Sequence, residues 1–199
     1  DAAFTLTPGI TPAVVEICRR LDGIPLAIEL AAARVRHLSA VEIARRLDDR
    51  FRLLTGGPRG ARQRQQTLAA TLDWSFQLLS EREQILLRRC SVFVDGFSLE
   101  AAEGVCAGDA LAREEVVDAL GALVDKSLVS LHAAEDRYRL LETIRLYALD
   151  RLIEAEEAPA VRTRHLSWFQ QAYATPPDWA APVAPDLENL RAARAWAHE

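Results

Sequence analysis

Lys126 is the single lysine among the 24 basic residues of this 199-residue chain, and Ser127 follows it, the pair that closes a phosphate-binding loop. Such a loop needs glycines that let backbone N–H groups approach the phosphates, and a lysine to meet their charge. Here Asp125 stands where glycine is needed, Gly121 is one position out of register, and the pair ends an apolar helical segment, so the phosphate reading fails. His37, His132, His165 and His198 lie apart from one another and from Cys18, Cys90 and Cys106, so no His or Cys spacing fits a metal. There is no G-x-S-x-G elbow, and the pairs Asp48-Asp49, Glu114-Glu115 and Glu156-Glu157 read as solvated helix surface. The expectation is therefore no catalytic residue, no metal and no enzymatic activity within these residues.

A chain that is 50% hydrophobic and 27% charged can build a real core as one fair-sized domain or two small ones. No apolar run approaches the roughly 20 residues that cross a bilayer, so no membrane role is expected. Three scattered cysteines without a C-x-x-C pair read as reduced core thiols, which points to the cytoplasm. The chain has no Met and begins at Asp1, and it is read as a piece of something longer. The arginine bias points to a GC-rich, bacterial coding sequence.

The elements follow from periodicity and punctuation. Thr11-Pro12 opens a helix with Val14, Ile17, Cys18 and Leu21 on one face; Gly23 ends it, and Pro25 starts the next, with Leu26, Leu30 and Ala33 in phase. Ser39 and Glu42 predict a capping box for a third helix. Thr55 to Gly60 is the clearest breaker cluster, followed by a basic, Gln-rich stretch to Gln66. Leu68, Leu72, Phe76 and Leu79 mark another helix, and Ser80 with Glu83 a second capping box, opening a helix that buries Leu86, Cys90 and Phe93. Ser98 caps a short helix ending near Cys106, and a further one places Val116, Leu120, Leu123 and Val124 inward. The period then changes: Leu128 to Leu131 and Arg137 to Leu140 predict one hairpin, with a helix from Glu142 to Ala155 after it. Helices at His165 to Ala174 and Leu187 to Ala197, separated by prolines, complete the pattern.

A winged helix raises DNA binding, and charge argues against it. Residues 66–155 carry nine Arg or Lys against sixteen Asp or Glu, a net of −7, whereas a phosphate-contacting surface needs clustered positive charge. The recognition-helix candidate, residues 113–126, sets Glu114, Glu115, Asp118 and Asp125 against Arg113 and Lys126. Residues 1–65 carry a net of +4, with Arg59, Arg62 and Arg64 as candidate phosphate contacts in a basic linker.

Residues 17–34, ICRRLDGIPLAIELAAAR, closely resemble the GLPLA segment of NB-ARC (STAND) signal-transducing ATPases, of the kind found in large bacterial LuxR-like and antibiotic-regulatory transcriptional regulators. Arg50 to Thr55, Gln65 to Leu68, Leu72 to Ser75, Leu78 to Ser80, Leu123 to Leu128 and Tyr138 to Thr143 resemble later landmarks of that family in order. The resemblance covers roughly residues 10–170. It implies a switch that holds ADP or ATP with Mg between a P-loop domain, absent here, and the helical and winged-helix domains. It carries the adenine-lining role to Pro25, with Gly23 and Leu26 shaping the joint. Where relatives have Met-His-Asp, this chain has Leu140-Leu141-Glu142, and Leu141 cannot donate a hydrogen bond to a phosphate. Glu142 is expected instead to cap the following helix.

The resulting expectation is a mainly α chain: a small helical domain over 1–58, a basic linker over 59–66, a winged-helix domain with one β-hairpin over 67–156, and the start of a TPR-like helical module over 157–199. Its expected role is the regulatory part of an ADP/ATP-switched bacterial transcriptional regulator. This chain alone should bind no nucleotide tightly. The expected partners are an intramolecular P-loop domain, a second copy on activation, and a protein held by the C-terminal helices; DNA contact through this chain is not expected. The alternatives are a DNA-binding winged-helix protein, or a nucleotide-independent helical scaffold.

Overall fold

The structure is a computed structural model that describes residues 6–21, 23–51, 61–173 and 184–197. Among these it is mainly helical, with one two-stranded antiparallel hairpin. The chain divides into two compact units, residues 1–78 and 79–199.

The first unit contains α1 (Thr11–Arg20), α2 (Pro25–Ala33), α3 (Ala40–Phe51) and α4 (Ala61–Gln77). The joint between α1 and α2 forms where expected. Gly23 takes φ of +66°, which closes α1 through Gly23 N–H donating to the Cys18 carbonyl at 3.1 Å, and Pro25 begins α2. Ile17, Leu21, Ala27, Ala31, Ile43 and Trp74 form the core, so α4 packs with α2 and α3. Arg34, almost fully buried, donates to the Ser75 carbonyl at 3.1 Å and ties the end of α2 to α4. Two expectations change here. Residues 61–66, read as linker, are the first turns of α4, because Ala, Arg and Gln are good helix formers and nothing breaks the run to Gln77. The Ser39–Glu42 capping box is half made: Ser39 Oγ accepts from Glu42 N–H at 3.2 Å, while the Glu42 carboxylate turns to Arg45 and Arg46.

The second unit begins with α5 (Glu81–Cys90), whose capping box is complete: Ser80 Oγ accepts from Glu83 N–H and Glu83 accepts from Ser80 N–H at 2.7 Å. A turn with positive φ at Asp95 and Gly96 leads to Phe97, then α6 (Leu99–Cys106), a 3-10 turn (Arg113–Glu115) and α7 (Val116–Asp125). Strands β1 (Ser130–His132) and β2 (Arg137–Arg139) pair Ser130 with Arg139, Leu131 with Tyr138 and His132 with Arg137. Phe97 bridges Tyr138 through two backbone hydrogen bonds of 2.9 and 2.8 Å, adding a one-residue third strand. The expected first strand, 128–131, is displaced to 130–132. Ser127 adopts positive φ, and Leu128 and Val129 fold back on the Leu123 carbonyl with both side chains buried.

Helix α8 (Glu142–Glu154) packs on α5, and α9 (Ala158–Ala172) packs on α6 and on α10 (Leu187–Trp196). α9 starts seven residues before the expected His165, with Pro159 in its first turn. Its approach to α6 requires Gly104, since a Cβ there would lie 2.2 Å from Cε3 of Trp168. No helix among the described residues is long and apolar enough to cross a membrane.

Candidate functional site

The order in the second unit is helix α5, the Phe97 bridge, helices α6 and α7, then the hairpin β1–β2. In a helix-turn-helix the second helix of the motif is the one offered to a partner surface, so α7 is the element to read. Val116, Ala119, Leu120 and Leu123 face the core, against α5 and α6. The opposite side carries Val117, Asp118, Gly121 and Asp125, and Glu114 of the 3-10 turn continues the stripe, at helical intervals and all exposed.

The cations around this face are engaged. Arg82 pairs with Glu115 at 2.8 Å, Arg113 with Glu103 at 3.0 Å, and Lys126 with Glu83 at the start of α5. Burial pushes the Glu83 carboxyl up, yet the hydrogen bonds from Lys126 and Ser80 outweigh it and hold Glu83 below the usual carboxylate range. On the hairpin, Arg139 pairs with Glu135 at 2.9 Å, and Arg137 is buried, donating to the Gly96 and Pro185 carbonyls and, at 2.7 Å, to Asp186. The turn between the strands exposes Glu135 and Asp136.

The C-terminal helices fasten the Asp95-Gly96 turn. Asn189, fully buried on α10, accepts from Val94 N–H at 2.7 Å and donates to the Gly96 carbonyl at 2.8 Å. Asp186 accepts from the Tyr173 hydroxyl at 2.9 Å. Beside them His165 is fully buried among Phe93, Phe169 and Trp196, with ring centroids 5.3, 4.7 and 4.9 Å away, and burial pushes its imidazole down to about 4. At the start of α9, Glu157 binds Arg88 and Arg89 of α5 at 2.8 Å each.

The residues singled out by sequence fall in separate places. Gly23 and Pro25 are exposed and Leu26 half-buried at the α1–α2 joint. An apolar cavity of about 250 Å³ in that unit lies between α1, α2 and α3, lined by Ile17, Cys18 and Ile28 among others, and does not include Pro25. Leu140 is half-buried and Leu141 exposed ahead of α8. Glu142 does not cap that helix: its carboxylate chelates the Arg145 guanidinium through two 2.8 Å bonds, a nearer and stronger donor than the backbone. Arg59 and the side chains of Arg62 and Arg64 lie outside the described residues. No group of three or more potential metal ligands occurs among the described residues. Sequence reading missed Arg137, Asp186, Asn189 and Glu157, whose partners stand 41 to 95 positions away. The one local signal for this cluster is the Asp95-Gly96 turn.

Residues 79–153 match the family model of a winged helix-turn-helix domain. The match covers α5 to α8 and the hairpin, and leaves α9 and α10 outside it. Over its whole length the chain is 52% identical to "Putative HTH-type transcriptional regulator Rv0890c" of Mycobacterium tuberculosis and to its counterpart in Mycobacterium bovis, of which it spans 24%. An uncharacterized protein of Mycobacterium tuberculosis is 46% identical across 84% of this chain and 44% of its own length. The chain thus spans about a quarter of the length of the first curated relatives it matches. The first two of these names are of HTH-type transcriptional regulators. They and the domain match stand closer to the DNA-binding alternative than to the nucleotide switch.

Proposed function

We propose that this chain is the regulatory, relaying part of a longer transcriptional regulator, and that its winged helix-turn-helix domain works against protein surfaces rather than in a DNA groove. The first half rests on identity along the whole chain with a relative named as a regulator of the HTH type. The second half is carried by one observation: the outward stripe of α7 and of the 3-10 turn before it holds Glu114, Asp118 and Asp125, while Arg82, Arg113 and Lys126 beside it are in ion pairs. A helix that enters a groove must meet phosphates with positive charge, and this one brings negative charge.

Direct DNA reading by α7 is the second reading, and the domain match favours it. Exposed pairs such as Arg82–Glu115 are worth only about 0–1 kcal/mol, so phosphates could take over those guanidinium groups. Charge reversal separates the two. In the full-length regulator, Glu114→Lys with Asp118→Lys should alter transcriptional output and leave promoter occupancy unchanged if α7 faces protein; changed occupancy with output following it would support the DNA reading.

The nucleotide switch is the finer part of the proposal and rests on the resemblance of residues 17–34. If it holds, fluorescent ADP binds the longer regulator tightly and this chain weakly, and Pro25→Ala lowers affinity in the longer protein. Equal affinity with and without Pro25 would remove that role, and the relay reading would stand without nucleotide.

A further inference from the structure

Helices α5 and α6 each end on a cysteine, and the two side chains meet. Cys90 and Cys106 are fully buried free thiols, with Sγ atoms 3.8 Å apart. A disulfide needs a separation of about 2.05 Å, so the sulfurs must close by roughly 1.8 Å. Both stand at the last helical position, followed by Ser91 and Ala107, where side-chain rotation and a small shift of the helix end can supply the closure.

The surroundings of Cys106 are positively charged. Arg89 Nη1 donates to the Cys106 carbonyl at 2.8 Å and Arg164 Nε to the Val105 carbonyl at 2.8 Å, while Arg88 stands beside Arg89. Glu157 binds Arg88 and Arg89, and Asp109 attracts Arg164, so three guanidinium groups face two carboxylates. Burial and the neighbouring Cys106 push the Cys90 thiol well up, which keeps Cys90 protonated. Next to Cys106 in the chain, Ala107 is half-buried and Gly108 exposed. Guanidinium groups beside a thiol favour its reaction with peroxides.

We propose that Cys90 and Cys106 form a two-electron redox site, oxidised by a hydroperoxide to an intramolecular disulfide that ties α5 to α6. In the first step the Cys106 sulfur attacks the distal peroxide oxygen and the O–O bond breaks. The thiol proton passes to the departing oxygen, leaving Cys106 as a sulfenic acid. In the second step the Cys90 sulfur attacks the Cys106 sulfur, the S–O bond breaks, and the Cys90 proton leaves with the hydroxyl as water. Two thiols lose two electrons and one hydrogen peroxide becomes two waters. The bond would join the ends of two helices that flank the Asp95-Gly96 turn, the same turn that Arg137 and Asn189 hold. This site stands whether α7 meets protein or DNA.

The test uses the native 199-residue chain, treated with hydrogen peroxide, quenched, denatured, alkylated with N-ethylmaleimide and weighed intact. The chain has three cysteines, so the expected result is a fall from three adducts to one, carried by Cys18, with a Cys90–Cys106 linked peptide that dithiothreitol releases. In Cys18→Ser the count should fall from two to none, and in Cys106→Ala two adducts should remain after peroxide. Three adducts retained by the treated wild-type chain, sulfinic acid on one cysteine without a bond, or linkage through Cys18 would overturn the proposal.

Discussion

Glu157 is where the α9 end of the second unit is fastened to α5, and its removal gives a quantitative test of that packing. Its carboxylate accepts from Arg88 Nε and Arg89 Nη2 at 2.8 Å each and from Arg89 Nε at 3.3 Å. Burial pushes this carboxyl up, but the two guanidinium groups outweigh it and hold it down at about 2, against an ordinary 4.5. That depression corresponds to at most about 3 kcal/mol. The Glu157 side chain keeps 21% of its exposure, which screens the pair, so a value of about 2 kcal/mol is the better expectation for Glu157→Gln at neutral pH. Much of that cost falls on Arg89, whose side chain is only 6% exposed and would lose its counter-ion. A carboxylate with a depressed folded pKa contributes stability that is fully present above its unfolded value and is lost as pH falls through its folded value. The difference between wild type and Glu157→Gln should therefore be full above about pH 5 and shrink as pH falls from about 4.5 towards 2. Urea unfolding at pH 7 and pH 3, followed by circular dichroism, measures it. A cost under about 0.5 kcal/mol at pH 7, or one independent of pH, would refute the role given to this pair.

Two further predictions concern the same unit. The depressed value of His165 means the folded state holds the neutral ring, so stability is full above about pH 6.5 and declines as pH falls towards 4; thermal midpoints at pH 7 and pH 5 should separate in the wild type and draw together in His165→Phe. Asn189→Ala leaves Val94 N–H without its acceptor and should cost about 1–3 kcal/mol, seen as faster amide exchange at Val94; unchanged exchange there would contradict the anchor.

What could be read from the sequence was local. Gly23 followed by Pro25, the Ser80–Glu83 box and the alternation Arg137-Tyr138-Arg139 each encode their geometry within a few residues, and each formed as expected. The acidic face of α7 was legible for the same reason, since Glu114, Asp118 and Asp125 fall on one helical stripe. Competition between partners was not legible. Glu42 and Glu142 had backbone N–H groups available in their first turns but took guanidinium groups at i+3 and i+4 instead. Nor were the long-range meetings visible: Cys90 with Cys106, Arg137 with Asp186 and Asn189 with Val94 depend on how helices dock, and no spacing rule in the chain records that. The displacement of β1 has the same origin, because Leu128 and Val129 are buried with their N–H groups on the Leu123 carbonyl, which overrode their strand propensity.

Whether the winged helix-turn-helix domain meets protein, as proposed, or DNA is tested most directly by fluorescence anisotropy of labelled duplex DNA titrated with this chain at 50 mM and 200 mM salt. A protein making six to ten phosphate contacts loses about 10³–10⁵ in affinity between those concentrations, so a genuine reader binds tightly at the lower one. The acidic stripe of α7 and its paired cations predict no saturable binding at 50 mM salt up to about 100 μM protein, the weak end of the roughly 10⁻⁴–10⁻⁶ M range of non-specific binders. Saturable binding at 50 mM salt that collapses by about a thousandfold at 200 mM would contradict the account and place α7 in a groove.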